Sequence, residues 1–129
     1  MSGPFWIDKQ ALLLLHNESI AEHGGLSGLR DEGLLDSALA RTQNLQAYNP
    51  NADVAALAAA YGTGLARNRP FADGNKRAAF LSVGLFLAMN GWRLDSTQLE
   101  ATQIMLGVAA GELEEEAFGA WIRDHMRER

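Results

Sequence analysis

The sequence contains no cysteine, so the chain can form no disulfide, no thiolate metal site and no cysteine nucleophile. A reducing compartment suits such a chain, and we expect a cytoplasmic protein. The formal net charge is −5. This acidic balance argues against a direct nucleic-acid partner, because binding to phosphate backbones needs a basic face. The longest largely apolar stretch, residues 78–89, is too short to cross a bilayer, and no signal-peptide pattern opens the chain. We therefore expect no membrane partner.

The length of 129 residues is enough for one domain with its own core and too small for two. Apolar residues recur with helical spacing almost throughout, and no alternating strand pattern is present. We therefore predict a single domain over residues 1–129, an all-α bundle of about six helices. The predicted helices cover residues 7–23, 31–43, 53–68, 76–90, 97–110 and 114–126.

A polar segment separates the second and third predicted helices, and its tyrosine and proline favour a loop or short hairpin. The segment consists of Asn44, Leu45, Gln46, Ala47, Tyr48, Asn49 and Pro50.

Nine residues between the third and fourth predicted helices carry most of the chemistry. Residues 69–77 read Arg-Pro-Phe-Ala-Asp-Gly-Asn-Lys-Arg. Asp73 offers a hard oxygen ligand of the kind that Mg²⁺ prefers, since Mg²⁺ usually takes one or two carboxylates together with phosphate oxygens. Gly74 can adopt a positive φ and bring backbone amides close to an anion.

The last three residues of this segment add binding groups for phosphate. Asn75, Lys76 and Arg77 fall at or just before a helix start, where free N–H groups and the helix dipole favour anions. The two cations can also form charge-assisted hydrogen bonds. The residues alone leave two interpretations open: a site for a metal-bound polyphosphate, or a solvated turn before a capped helix.

The segment resembles the signature loop of the Fic/Doc family, which reads His-x-Phe-x-Asp/Glu-Gly/Ala-Asn-Gly/Lys-Arg, and eight of the nine positions fit. Lys76, where most Fic proteins have glycine, is similar to the death-on-curing (Doc) branch of toxin–antitoxin toxins. The resemblance extends over nearly the whole chain. It includes residues 16–17, 24–26, 29–31, 85–87, 90–91 and 107–111.

The resemblance implies a toxin of a type II toxin–antitoxin system. Its parent activity would be phosphotransfer from ATP, with Mg²⁺, to a threonine of elongation factor Tu, which arrests translation. A cognate antitoxin would inhibit it in trans through a C-terminal segment. By position, Asp73 would bind the metal, and residues 74–77 (Gly74, Asn75, Lys76 and Arg77) would bind phosphate. Phe71 would be structural. Residues 44–50 would form the family's flap, which docks the target peptide as an added strand.

The ninth position does not fit, because Arg69 stands where the family has its catalytic histidine. That histidine acts as general base on the target hydroxyl. A guanidinium stays protonated and cannot accept the proton, and base catalysis contributes about 10²–10⁴-fold. We therefore expect a severely impaired or inactive chain. Arg69 could be an inactivating change, which we favour, the mark of a natural pseudoenzyme, or a repurposed phosphate contact. We expect the three histidines, His16, His23 and His125, to be ordinary surface or helix-end residues.

Two other functions remain open alongside phosphotransfer. One is AMP transfer of the Fic type, which the side chain of Lys76 disfavours because it occupies space near the phosphates. The other is a non-catalytic module that binds nucleotide or antitoxin. Residues 96–100 match the first part of the inhibitory-helix pattern of some Fic proteins, but Ala101 breaks the match. A capping box, in which Thr97 and Glu100 satisfy free amides at a helix start, explains them better.

Overall fold

The computed structural model describes residues 3–129, which form six α-helices and two short strands. The helices are α1 Lys9–His23, α2 Glu32–Tyr48, α3 Val54–Asn68, α4 Asn75–Met89, α5 Gln98–Ala109 and α6 Glu115–His125, and the strands are β1 Trp92–Leu94 and β2 Met126–Glu128. The predicted all-α bundle of about six helices is confirmed. Within the described residues, no helix has both the length and the apolar character needed to span a membrane.

Four of the helices begin at a side chain that accepts a hydrogen bond from a backbone N–H three residues later. These N-cap residues are Asp8, Asp31, Asp53 and Thr97. Each such cap stabilises its helix by about 0.5–2 kcal/mol. Half of the predicted capping box is confirmed: the Thr97 hydroxyl accepts from the Glu100 N–H at 3.1 Å. The Glu100 carboxylate instead lies 3.5 Å from Nε2 of His125.

Helix α3 is the centre of the bundle, with eleven of its fifteen residues buried. It packs against α2, α4 and α6. Alanine and glycine allow this close approach: a Cβ added at Gly62 would lie only 2.7 Å from the Phe118 ring. The core draws buried apolar side chains from all six helices, so the ends of α3 and the start of α4 have fixed positions.

The prediction of a loop over residues 44–50 is wrong, because α2 continues to Tyr48. Leu45 packs against the core, and its neighbours Gln46 and Ala47 have high helix propensity. The helix ends at Asn49, whose backbone leaves the helical region (φ −130°, ψ 87°), as expected for a residue before proline. Residues 44–48 are therefore unavailable as an extended flap that adds a strand to a target peptide.

The two strands were not predicted. β1 and β2 pair antiparallel, with Trp92 opposite Glu128 and Leu94 opposite Met126. Met126 begins β2, so α6 ends at His125 and not at Met126, where the prediction placed its end. Three residues are too few to show a strand period, and their partner lies far away in sequence.

Candidate functional site

The loop of residues 69–77 joins the central helix α3 to the start of α4. Arg69 ends α3 as its C-cap, and its N–H donates to the Leu65 carbonyl at 3.2 Å. It has a left-handed backbone (φ 50°, ψ 57°) and is the one non-glycine residue with positive φ among the described residues. Pro70 follows and disfavours helical geometry at Arg69. The Arg69 side chain is exposed at the base of the loop.

A buried aromatic pair anchors the loop. Phe71 is only 1% exposed, which confirms its predicted structural position. Its ring stacks on that of His16 from α1, with centroids 3.8 Å apart and planes at 10°. Nε2 of His16, itself in a residue only 1% exposed, lies 2.8 Å from the Asp73 carbonyl oxygen. The prediction that His16 is a surface or helix-end residue is therefore wrong, and the resemblance at residues 16–17 was its one signal.

The other two histidines make no contact with the loop in the hydrogen bonds or ring stacks of the described residues, although His23 lines a cleft beside the loop. His23 is exposed at the end of α1. His125 lies in the last turn of α6, where Nδ1 is 2.7 Å from the Trp121 carbonyl oxygen and the two rings stack with centroids 4.5 Å apart. These two positions agree with the prediction of surface or helix-end residues.

The side chain of Asn75 closes the loop on itself. Its Oδ1 accepts from the Phe71 N–H at 2.9 Å, and its Nδ2 donates to the Phe71 carbonyl at 3.0 Å. These bonds engage the carboxamide in holding Phe71. Because its side chain is engaged, Asn75 can offer a ligand only its backbone N–H, which lies in the first turn of α4.

The segment between α1 and α2 braces the loop from outside. Backbone hydrogen bonds join Ala72 to Gly28 at 3.0 Å and Arg30 to Pro70 at 2.7 Å. The Arg30 guanidinium donates to the Arg69 carbonyl at 2.8 Å and to the Asn68 carbonyl at 2.9 Å, and so covers the C-terminal end of α3. Sequence reasoning missed this role of Arg30, which depends on a contact across 39 residues.

Asp73 is exposed, and two backbone N–H groups orient its carboxylate. Oδ1 accepts from Gly74 at 2.9 Å and Oδ2 accepts from Leu26 at 3.2 Å. Each carboxylate oxygen keeps a second lone pair, so the group can still contact a cation. The described residues contain no group of three metal-ligating side chains. A single carboxylate fits Mg²⁺ only if phosphate oxygens and water complete the coordination, which is the usual arrangement for this ion.

The start of α4 offers free donors beside Asp73. Gly74 is its N-cap with φ 73° and makes no side-chain capping bond, in contrast to the four capped helices. Ala78 is the first residue whose N–H bonds back, to the Gly74 carbonyl at 2.9 Å. Lys76 and Arg77 are exposed in this first turn. Open N–H groups, the helix dipole and two cations together favour an anion here.

The loop forms a ridge between two open cavities. A cleft of about 710 Å³ lies between α1, α4 and α5, and Arg77 lines it. A cavity of about 340 Å³ lies on the other side, and Arg69 lines it. Four loop residues line both: Asp73, Gly74, Asn75 and Lys76. None of residues 44–50 lines either cavity. Arg77 and Arg69 therefore line different cavities, which share these four loop residues.

A model of the Fic/DOC family matches residues 6–87, more than half of the chain, and the matched part includes the whole loop. The chain belongs to the Fic/DOC family. It is 36% identical over 108 residues to "Protein kinase doc" of Escherichia phage P1. The aligned stretch covers 83% of this chain and 84% of that protein. It is also 44% identical over 75 residues to "Toxin Doc" of Mycolicibacterium smegmatis, with 55% of each chain covered. Within the Fic/DOC family, the chain is therefore similar to the Doc toxins.

Proposed function

We propose that this Fic/DOC chain is a Doc-like toxin whose loop binds ATP with Mg²⁺ and whose phosphotransfer is disabled by Arg69. The observation that carries the proposal is the uncapped start of α4, where Asp73, Lys76 and Arg77 meet at the ridge between two cavities. We assign the larger cleft, of about 710 Å³, to the nucleotide. We assign the smaller cavity, of about 340 Å³, to the target side chain that receives the phosphate, and we call it the receiving cavity. A cytoplasmic location follows from the proposed target.

The residues of the ridge divide the work of holding ATP. The free N–H groups of the first turn of α4 and the side chains of Lys76 and Arg77 hold phosphate oxygens. Asn75 contributes its backbone N–H, because Phe71 engages its side chain. Asp73 holds the metal ion, which would neutralise phosphate charge when bound. Gly74 lets the loop backbone lie close to α1, since a Cβ there would lie 3.2 Å from Cδ1 of Ile20.

The missing component is the proton acceptor. In the parent reaction, the hydroxyl oxygen of a threonine bonds to the terminal phosphorus of ATP, the bond to the ADP oxygen breaks, and a base takes the hydroxyl proton. Arg69 lines the receiving cavity and cannot accept that proton. His16 cannot replace it, because it is buried and its Nε2 donates to Asp73. The expected loss is about 10²–10⁴-fold in rate.

Two observations favour phosphotransfer over AMP transfer. The relative from Escherichia phage P1 bears the name of a protein kinase. Lys76 lines both cavities, and its side chain occupies space that glycine would leave free. The resemblance to the Doc branch implies a threonine of elongation factor Tu, and we propose this residue as the parent target. A pseudoenzyme that only binds nucleotide or antitoxin is the alternative, favoured by the side chain of Arg69.

We also propose that an antitoxin segment restrains the active form in trans. Residues 96–100 form the N-cap and first turn of α5, and the Glu100 carboxylate lies near His125 instead of reaching the loop. Ser96, Thr97 and Gln98 line the larger cleft beside the loop, but the glutamate of the inhibitory pattern, Glu100, is turned to His125. A segment that folds onto the domain would raise its melting temperature by mass action. A Tm that stays constant at saturating antitoxin would contradict inhibition in trans.

The decisive experiment compares the chain with Arg69→His and with Arg69→Ala. Each is mixed with elongation factor Tu, Mg²⁺ and ATP labelled at either the γ or the α position. We expect γ label on the factor with Arg69→His alone, and growth arrest on its expression. Transfer of α label would show AMP transfer instead. A folded Arg69→His protein that transfers neither label would support the pseudoenzyme.

A further inference from the structure

We infer that His16 is a positioning residue, which fixes the Asp73–Gly74 peptide so that the metal-binding carboxylate and the start of α4 face the ligand. The identity of the ligand rests on the proposed function, whereas the orientation of the peptide does not. No sequence pattern assigns a role to this histidine.

The first support is the direction of the hydrogen bond. A carbonyl oxygen only accepts, so Nε2 of His16 must carry the hydrogen in its 2.8 Å contact with the Asp73 oxygen. The described residues contain no cis peptide, and in a trans peptide the C=O and N–H point in opposite directions. Holding the Asp73 carbonyl against α1 therefore turns the Gly74 N–H outward, where it donates to Oδ1 of Asp73 at 2.9 Å.

The second support is the rigidity of the ring that donates. His16 lies on α1, is buried, and stacks face to face on Phe71. Ile20, one turn later, lies 3.2 Å from the position of a Cβ at Gly74, and His16 Nε2 lies 3.6 Å from it. These two α1 side chains form the floor under Gly74. These contacts leave room for glycine at φ 73° and for one orientation of the Asp73–Gly74 peptide.

The third support is the energetic cost of the imidazole. An apolar side chain could fill the same space against Phe71 without burying a donor, and a buried donor is tolerated only when it is hydrogen-bonded. The donor is satisfied here by a loop carbonyl 57 residues away. Without it, glycine would let the peptide rotate, since both signs of φ are open to it. The carboxylate and the first N–H groups of α4 would then move together.

His16→Phe tests the inference, because it keeps the aromatic stack and removes the donor. His16→Gln is the rescue variant, since its amide nitrogen can donate in the place of Nε2. His125→Phe is the matched control. That histidine also stacks on an aromatic ring and has a ring nitrogen near a backbone carbonyl, and it lies away from the loop.

Two measurements separate positioning from packing. NMR of the ligand-free proteins reports the chemical shift and hydrogen exchange of the Gly74 amide. Calorimetry reports the affinity for ATP with Mg²⁺. We expect His16→Phe to shift the Gly74 signal, to speed its exchange, and to weaken binding about three- to tenfold. His16→Gln should restore most of the Gly74 amide behaviour and most of the affinity for ATP. His125→Phe should change neither the Gly74 amide nor the affinity.

An unchanged Gly74 amide in folded His16→Phe overturns the inference, and so does equal weakening of binding by His125→Phe. If the starting protein does not bind ATP, the proposed function fails while the Gly74 signals still decide the role of His16. If neither His16 variant folds, ¹⁵N spectra of the unaltered protein decide it. A hydrogen on Nε2 supports the inference, and a hydrogen on Nδ1 alone contradicts it.

Discussion

The side chain of Asn75 pairs with both backbone polar groups of Phe71, its oxygen 2.9 Å from the Phe71 nitrogen and its nitrogen 3.0 Å from the Phe71 oxygen. The turn before α4 is thereby closed by a side chain that imitates a backbone partner. Phe71 in turn stacks on His16. The geometry of the loop of residues 69–77 therefore depends on a chain of contacts from Asn75 through Phe71 to α1.

Asn75→Asp should destabilise the protein, because the new carboxylate oxygen faces the Phe71 carbonyl where an N–H now donates. Leaving such partly buried acceptors unsatisfied costs about 1–3 kcal/mol. Urea unfolding measures the change. Asn51→Asp is the control, since the Asn51 side chain is exposed beyond α2. Equal stability of the two variants would show that the pairing contributes nothing.

Gly25→Ala should impair metal-dependent binding. Gly25 has φ 116°, and a Cβ there would lie 2.7 Å from Oδ2 of Asp73, so the carboxylate must move. Gly24→Ala is a matched control, because Gly24 also has positive φ, 87°, with no atom within 4 Å of its Cβ position. Both variants share the backbone strain. Calorimetry with ATP should show reduced Mg²⁺ dependence in Gly25→Ala alone.

Asp73→Asn should remove the Mg²⁺ dependence of ATP binding while leaving metal-free binding nearly unchanged. The amide keeps the size of the side chain and loses the charge that holds a hard cation. Glu22→Gln is the control, because Glu22 is another carboxylate that lines the larger cleft. Titrations with and without Mg²⁺ measure the difference. Mg²⁺ dependence that survives in Asp73→Asn would refute the metal assignment.

Arg123→Gln should reduce stability in a pH-dependent way. The Arg123 guanidinium donates to Asp53 at 2.7 and 2.9 Å, and these hydrogen bonds lower the pKa of Asp53 below its ordinary value of 3.8. A lowered pKa gives stability that is present above pH 3.8 and is lost as the pH falls through the folded value. Both side chains are about half exposed, so the pair contributes about 0.2–1 kcal/mol.

The check for this ion pair is chemical unfolding at several pH values. The difference between Arg123→Gln and the unaltered protein should be constant near neutral pH and should disappear in acid, where Asp53 is protonated. High salt should shrink it as well. A difference that persists at pH 2 would mean that Arg123 stabilises α6 by some other contact.

Gly62→Ala should destabilise the core by about 1–3 kcal/mol through overpacking. The added methyl group would lie 2.7 Å from the Phe118 ring and 2.9 Å from Cγ2 of Val83. Gly84→Ala, also in a helix, meets no atom within 4 Å and should be neutral or stabilising. Thermal unfolding of the two variants should give Tm changes of opposite sign or clearly different size.

The sequence predicted those parts of the molecule that depend on local pattern. Helical spacing located six helices, and the predicted starts at Asp31, Asp53 and Thr97 are the N-caps of α2, α3 and α5. Composition misplaced the end of α2, because polar residues before Pro50 indicate a loop unless one knows that Leu45 reaches the core. A weak local signal was outweighed by tertiary packing.

In the candidate site, too, the features that depend on local sequence could be predicted and those that depend on tertiary contacts could not. The segment around Asp73 could be found because its residue types are unusual in combination. The supporting contacts could not, because they join distant parts of the chain: His16 to Asp73 across 57 residues and Arg30 to Arg69 across 39. A buried histidine and a bracing arginine resemble ordinary helix residues until the fold places them.

The left-handed backbone of Arg69 has a genetic consequence. Histidine is among the residues enriched in that conformation, and the side chain at this position projects into solvent, so arginine and histidine can exchange without repacking the core. Two of the six arginine codons, CGU and CGC, differ from a histidine codon by one transition. The proposed inactive form and a form with histidine at position 69 can therefore be a single substitution apart, with the rest of the loop and the core unchanged.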